Sequence, residues 1–170
     1  MSVNGFFHAG VTVSDMDRSL RFYRDALGLE VASDGITGGE TAERIWNMPV
    51  GRVRVVFLRV PGSDAMIELF EFCEVERHPA SSRPPDYGAG HMCLFCEDAD
   101  ALHARAVEHG FTSRSREAVA IERGAHKGAK AAYLIDPDGY HVEIYERPPR
   151  RSSAGSPPRG VPEAASGEPG

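Results

Sequence analysis

Polar and apolar residues alternate over 6–13, with Phe7, Ala9, Val11 and Val13 on one side and His8, Gly10 and Thr12 on the other. This is the period-2 pattern of a half-buried strand. Over 14–27 the period lengthens, and Leu20, Phe22, Tyr23 and Leu27 form a helical stripe that Ser14 or Asp15 can cap and Gly28 can end. A short strand follows at 29–32. The stretch 34–51 holds Gly35, Gly38 and Gly39 and predicts a loop with a helical turn at 40–46. Alternation resumes at 52–60 and 65–73, on either side of the turn residues 61–64, and predicts a hairpin.

A polar stretch at 74–89, with Pro79, Pro84 and Pro85, separates this pattern from its repetition. Residues 90–96 read as a strand, Asp98 and Asp100 open a helix that ends at Gly110, and weaker strands follow at 111–113 and 118–122. A closing hairpin, 130–135 and 140–146, turns through Asp136-Pro137-Asp138-Gly139. Setting His91 on His8 aligns Asp98 with Asp15 and Asp100 with Asp17, and brings Gly110 within one residue of Gly28. The chain is therefore read as an internal duplication, strand-helix-strand-strand-strand twice. The expected fold is α+β, with two tandem βαβββ modules, 6–73 and 90–146, in one domain spanning 1–146. Residues 74–89 are the linker, and the Pro-, Gly- and Ser-rich residues 147–170 are expected to be a disordered tail.

The duplication bears on chemistry through two acids. Glu68 lies in Ile67-Glu68-Leu69-Phe70-Glu71, and Glu143 lies in the near-copy Val142-Glu143-Ile144-Tyr145-Glu146. A carboxylate on the inward side of a strand is costly unless paired. Arg52 or Arg54 across the hairpin could pair with Glu68. A metal ion is the fuller reading, because a His opens each half and a Glu closes each half. If the first and last strands of each module lie side by side, His8, Glu68, His91 and Glu143 converge on one cavity. Two imidazoles and two carboxylates suit one divalent ion, Ni, Zn, Co, Mn or Fe. Glu71 and Glu146, on the other strand face, are expected to be solvated. His141 shares the face of Glu143. Trp46, Met48 and Pro49 could wall a pocket.

Composition narrows the partners. The 170 residues carry a formal charge of −6 with scattered Lys and Arg, which argues against nucleic acid. No apolar run approaches a membrane span. Cys73, Cys93 and Cys96 are too few for a disulfide framework and are expected to be buried thiols in a reducing, cytoplasmic setting. Cys93 and Cys96, three apart on a strand, face opposite sides.

These residues carry a likeness. His8 with Val13 and Asp15, Phe22-Tyr23-Arg24-Asp25-x-Leu27-Gly28-Leu29, Ile67-Glu68-Leu69, Gly90-His91, and Asp136-Pro137-Asp138-Gly139-Tyr140-x-Val142-Glu143 resemble the glyoxalase, bleomycin-resistance and extradiol-dioxygenase (vicinal oxygen chelate) superfamily. The resemblance implies a cupped mixed sheet around a metal held by His8, Glu68, His91 and Glu143, and a homodimer. The full His-Glu-His-Glu set is most similar to the glyoxalase I branch. That similarity implies a lyase or isomerase that chelates vicinal oxygens of a small substrate and moves a proton through an enediolate, with Glu143 or Glu68 as base. Thr12 and Phe72 stand where bacterial glyoxalases carry Arg and Asn, of which the Arg contacts glutathione. A standard glutathione substrate is therefore not expected, and Trp46, Met48 and Phe72 would line a more apolar pocket. The alternatives within the resemblance are an Fe(II)-type dioxygenase, a methylmalonyl-CoA epimerase-like isomerase and a metal-free antibiotic-binding protein.

Overall fold

The computed structural model describes residues 2–80 and 83–149. The expected tail lies outside the described residues beyond Pro149. The first module runs β1 (His8–Thr12), α1 (Met16–Leu20, continuing as a π-helical segment Arg21–Ala26), β2 (Glu30–Gly38), α2 (Gly39–Trp46), β3 (Arg52–Arg59) and β4 (Met66–Phe72). The second runs β5 (His91–Cys96), α3 (Ala99–Glu108), the two-residue strands β6 (Thr112–Ser113) and β7 (Val119–Ala120), β8 (Lys130–Ile135) and β9 (His141–Glu146).

Each module folds into its own sheet. The orders are β1-β4-β3-β2 and β5-β9-β8-β6, with β7 on β8. In both, the first and last long strands pair in parallel and the hairpin pairs antiparallel. The duplicated caps agree as well: the Asp15 side chain accepts from Arg18 N–H, and that of Asp98 accepts from Ala101 N–H. Gly28 and Gly110 end their helices at φ 80° and 85°, backbone angles that glycine adopts without a Cβ penalty.

Two expectations about the first module change. The strand expected at 29–32 runs on to Gly38, through what was read as loop. β2 pairs with β3 along its length, with a bulge between Val31 and Ser33, and Asp34 holds Arg54 at 2.7 Å. Cross-strand pairing outweighs the low strand propensity of its glycines. The helix after Asp15 keeps the expected length, but its second half widens: Leu27 N–H donates to Phe22 C=O, five residues back. The widening accompanies complete burial of the adjacent Phe22 and Tyr23.

One core cluster joins both modules. It takes Val11, Val13, Met16, Phe22, Tyr23, Leu58 and Leu69 from the first, and Ala106, Leu134, Val142 and Ile144 from the second. Each fully buried aliphatic or aromatic side chain contributes about 1.5–3 kcal/mol. Phe7, expected on the packing side, is instead 60% exposed, because β1 begins only at His8.

The Asp136–Gly139 turn fastens the modules together. Asp136 Oδ1 accepts from the N–H groups of Asp138 and Tyr140, and Oδ2 accepts from the buried Tyr23 hydroxyl at 3.0 Å. Asp138 accepts from Ser14 and, at 2.8 Å, from Arg18. The tetrapeptide is the expected turn, and it also ties the closing hairpin to α1.

Candidate functional site

The parallel pairing of first and last strands sets the site geometry. Gly10 lies opposite Glu68 and Cys93 opposite Glu143, so each His stands two residues before the position facing its Glu. His8 Nε2 consequently lies 2.8 Å from Glu68 Oε2, and His91 Nε2 lies 3.2 Å from Glu143 Oε2. Glu68 meets His8 rather than an arginine: Arg54 is bound to Asp17 and Asp34, and Arg52 faces Glu74. Glu68 is 8% exposed; burial pushes its carboxyl up, and the facing His8 opposes that rise.

The four residues form two pairs, not one set. Among the described residues no three His, Cys, Asp or Glu side chains gather where they could hold a metal ion together. The sequence leaves open whether one chain or two build the four-ligand site; within this chain His8 and His91 line separate cavities. Each module builds its own sheet, so each brings together only its own His and Glu. β1 and β5, which carry the two histidines, are the outer strands of those sheets. The donors still fit a borderline divalent ion, being imidazole nitrogen and carboxylate oxygen in equal number. His8 Nδ1 is buried with no hydrogen-bond partner, which leaves the Nε2–Glu68 side as the ring's one polar attachment among the described residues.

His8 and Glu68 open on one cavity and His91 on another. The first, of about 700 Å³, is lined by His8, Glu68, Ile36, Trp46, Phe57 and Phe70, among others. Trp46 packs edge-on against Phe70 and Phe72, with centroids 5.6 and 5.2 Å away. Of the expected lining residues, Trp46 is in the wall, Phe72 stands behind it as a support, and Met48 is surface-exposed and outside the lining. Asn47, in the left-handed region at φ 52°, ends α2 just before Met48 and so carries the chain away.

The second cavity, of about 550 Å³, is lined by His91, Arg114, Val119, Ile121, Tyr133 and His141, among others. Two of these had no signal in the duplication. Tyr133 lies opposite Glu143, and its hydroxyl donates to Glu143 Oε2 at 3.2 Å while standing 3.2 Å from His91 Nε2. Burial and the Glu143 charge push the Tyr133 phenol up. Arg114 Nε donates to His141 Nε2 at 2.7 Å. Burial, then the charge of Arg114, pushes the His141 imidazole down. The alternation of β9 had placed His141 on the face of Glu143, but nothing local named Arg114 as its partner.

Several surrounding expectations change. Cys93, on the face of His91, is exposed and Cys96 is half-buried, because β5 is an outer strand, and Cys73 is exposed just beyond the end of β4. Burial of the sulfur, then the adjacent Glu143, pushes the Cys93 thiol up to about 11. Glu146 is not a free surface charge: its Oε2 accepts from Ala99 N–H at 3.0 Å, at the start of α3. Among the described residues, no helix is long and apolar enough to cross a membrane.

Known proteins share this arrangement. The chain is 27% identical over 151 residues to a lactoylglutathione lyase of Haemophilus influenzae, covering 88% of this chain and 97% of that protein. It is 26% identical over 153 residues to glyoxalase I of Saccharomyces cerevisiae, covering 83% of this chain and 43% of that one. It is also 26% identical over 149 residues to catechol-2,3-dioxygenase of Bacillus subtilis, covering 84% of this chain and 41% of that one. The chain thus spans about two fifths of the length of the last two relatives. A glyoxalase family protein from Bacillus cereus superposes with a TM-score of 0.75 at 17% identity, covering 87% of this chain and 97% of that one. The family model of the Glyoxalase/Bleomycin resistance protein/Dioxygenase superfamily matches residues 5–144, and the chain belongs to that superfamily.

Proposed function

We propose that the protein is a metal-dependent lyase or isomerase of the glyoxalase type, acting on a small oxygenated substrate other than a standard glutathione adduct. The observation that carries this reading is the identical register of the two His-Glu pairs. One imidazole and one carboxylate face the cavity side of each sheet, in contact with each other. A divalent ion held by His8, Glu68, His91 and Glu143 would supply electrophilic stabilisation of negative charge developing on the substrate oxygens.

Two copies of the chain complete the site in this reading. A twofold axis that sets β1 of one copy beside β5 of the other joins His8 and Glu68 to the partner's second pair, and does so twice. Outer strands carrying histidines, with Phe6 and Phe7 exposed beside β1, suit such a homodimer.

The chain's own residues then divide the work. Glu68 and Glu143 are the carboxylates within reach of a proton on the substrate carbon, and one of them takes it and returns it to the neighbouring carbon. Trp46, Phe57 and Phe70 keep water from the first cavity. Thr12 and Phe72 stand where similar bacterial enzymes carry Arg and Asn, which supports a substrate other than a standard glutathione adduct.

The test is metal content by elemental analysis, read beside solvent-deuterium incorporation into a panel of 2-hydroxycarbonyl compounds. About one ion per site and metal-dependent exchange are expected. Exchange that survives both chelation and a Glu68→Gln, Glu143→Gln double substitution overturns the reading. Oxygen uptake on Fe²⁺ loading would assign the protein to oxygenase chemistry instead.

A further inference from the structure

The second cavity contains a cation that the metal-and-carboxylate reading does not use. Arg114 follows β6, and its backbone N–H donates to Tyr133 C=O at 2.9 Å, which fixes the start of its side chain. Its Nε donates to His141 Nε2 at 2.7 Å. His141 is 4% exposed and rooted in β9, so it orients the guanidinium from below. A ring nitrogen that accepts this bond carries no proton, which places the imidazole N–H on Nδ1. Among the described residues the two Nη groups of Arg114 have no hydrogen-bond partner, and the cavity lining contains no Asp or Glu. The other walls include Pro84, Val119, Ile121 and Ala131, all aliphatic.

We propose that Arg114 anchors a carboxylate on the substrate, so that the preferred substrates are small aliphatic carboxylic acids bearing vicinal oxygens. The inference rests on the proposed His-Glu site, since His91 of that site lines the same cavity as Arg114. A guanidinium whose Nε is already engaged presents its Nη groups to a planar anion in a paired geometry. The planar two-oxygen face of a carboxylate matches the guanidinium fork. The volume of about 550 Å³ and the aliphatic walls suit a short-chain body rather than a large aromatic one.

The test uses the metal-loaded full chain and three probes that lack vicinal oxygens: isovalerate, the alcohol of the same carbon skeleton, and inorganic phosphate. Titration calorimetry is expected to show saturable isovalerate binding that weakens about tenfold or more in Arg114→Gln, with the alcohol not binding. Val119→Asp, which keeps Arg114 and places a carboxylate in the cavity, is expected to abolish isovalerate binding as well. Circular dichroism and thermal melting confirm that both variants fold. Isovalerate affinity unchanged in Arg114→Gln, or phosphate bound more tightly than isovalerate in a way that Arg114→Gln abolishes, overturns the proposal. Metal stoichiometry, measured on the same samples, separates the two readings. Intact metal with Arg114-independent binding sinks only the carboxylate anchor, and Arg114-dependent binding without stoichiometric metal sinks only the His-Glu site.

Discussion

Phe57 and Tyr133 occupy the same place in the two modules, Phe57 opposite Glu68 on β3 and Tyr133 opposite Glu143 on β8. Each ring also stands edge-on to the histidine of its pair, at 5.7 Å from His8 and 5.1 Å from His91. The duplication therefore differs at this position by one hydroxyl. That hydroxyl holds Glu143, whereas Glu68 faces only His8 and an aromatic wall. The two carboxylates are chemically unequal although their backbones are equivalent.

Tyr133→Phe makes the second pair resemble the first. Loss of a hydrogen bond to a charged acceptor costs about 1.5–3 kcal/mol. The expected result is a folded protein destabilised by that order, read by urea unfolding. Unchanged stability would show that the 3.2 Å contact is not maintained in solution.

Removal of the metal is expected to lower stability and to weaken the dimer together. Both follow from the proposed site, whose ligands would come from two copies. An ion at one hundred times its dissociation constant stabilises the folded state by about 2.7 kcal/mol. Thermal melting and analytical ultracentrifugation with and without chelator check this, and a chelated protein that remains dimeric with the same melting temperature contradicts it.

Tyr23→Phe deprives Asp136 of its buried donor, an expected loss of about 1–3 kcal/mol read by urea unfolding. The same carboxyl predicts a pH dependence. Burial is the largest influence and raises the folded pKa of Asp136 above its unfolded value near 4, with the backbone donors partly opposing. A raised folded pKa means that the folded state holds the proton more tightly. Its stabilising contribution is present below the unfolded pKa and is lost as pH rises through the folded one. Asp136→Asn is expected to flatten the stability profile across that window.

Gly38→Ala is expected to damage the wall of the first cavity. Gly38 has φ 151°, and a Cβ there would stand 2.2 Å from the carbonyl oxygen of Gly51. Backbone cannot yield as a flexible side chain can, so the β2–α2 junction must shift and take Trp46 with it. A blue-to-red change in Trp46 fluorescence and a destabilisation above about 1 kcal/mol are the readouts.

Alternation, caps and the spacing of His8, Glu68, His91 and Glu143 carried the architecture in the sequence, because strand and helix periods report which faces are buried and a duplication repeats them. Glu68 and Glu143 stood out locally because acids are rare on such faces. Tertiary structure decided what local pattern cannot encode. Cross-strand pairing carried β2 through two glycines, and the core shared by both modules buried Phe22 and Tyr23 beside a π-helical widening. Separate sheets kept the two His-Glu pairs apart within the chain. Tyr133 met Glu143 through the register of the closing hairpin, and Arg114 became a site residue only when the chain after β6 folded back along β8, since its partner His141 lies 27 residues away in sequence.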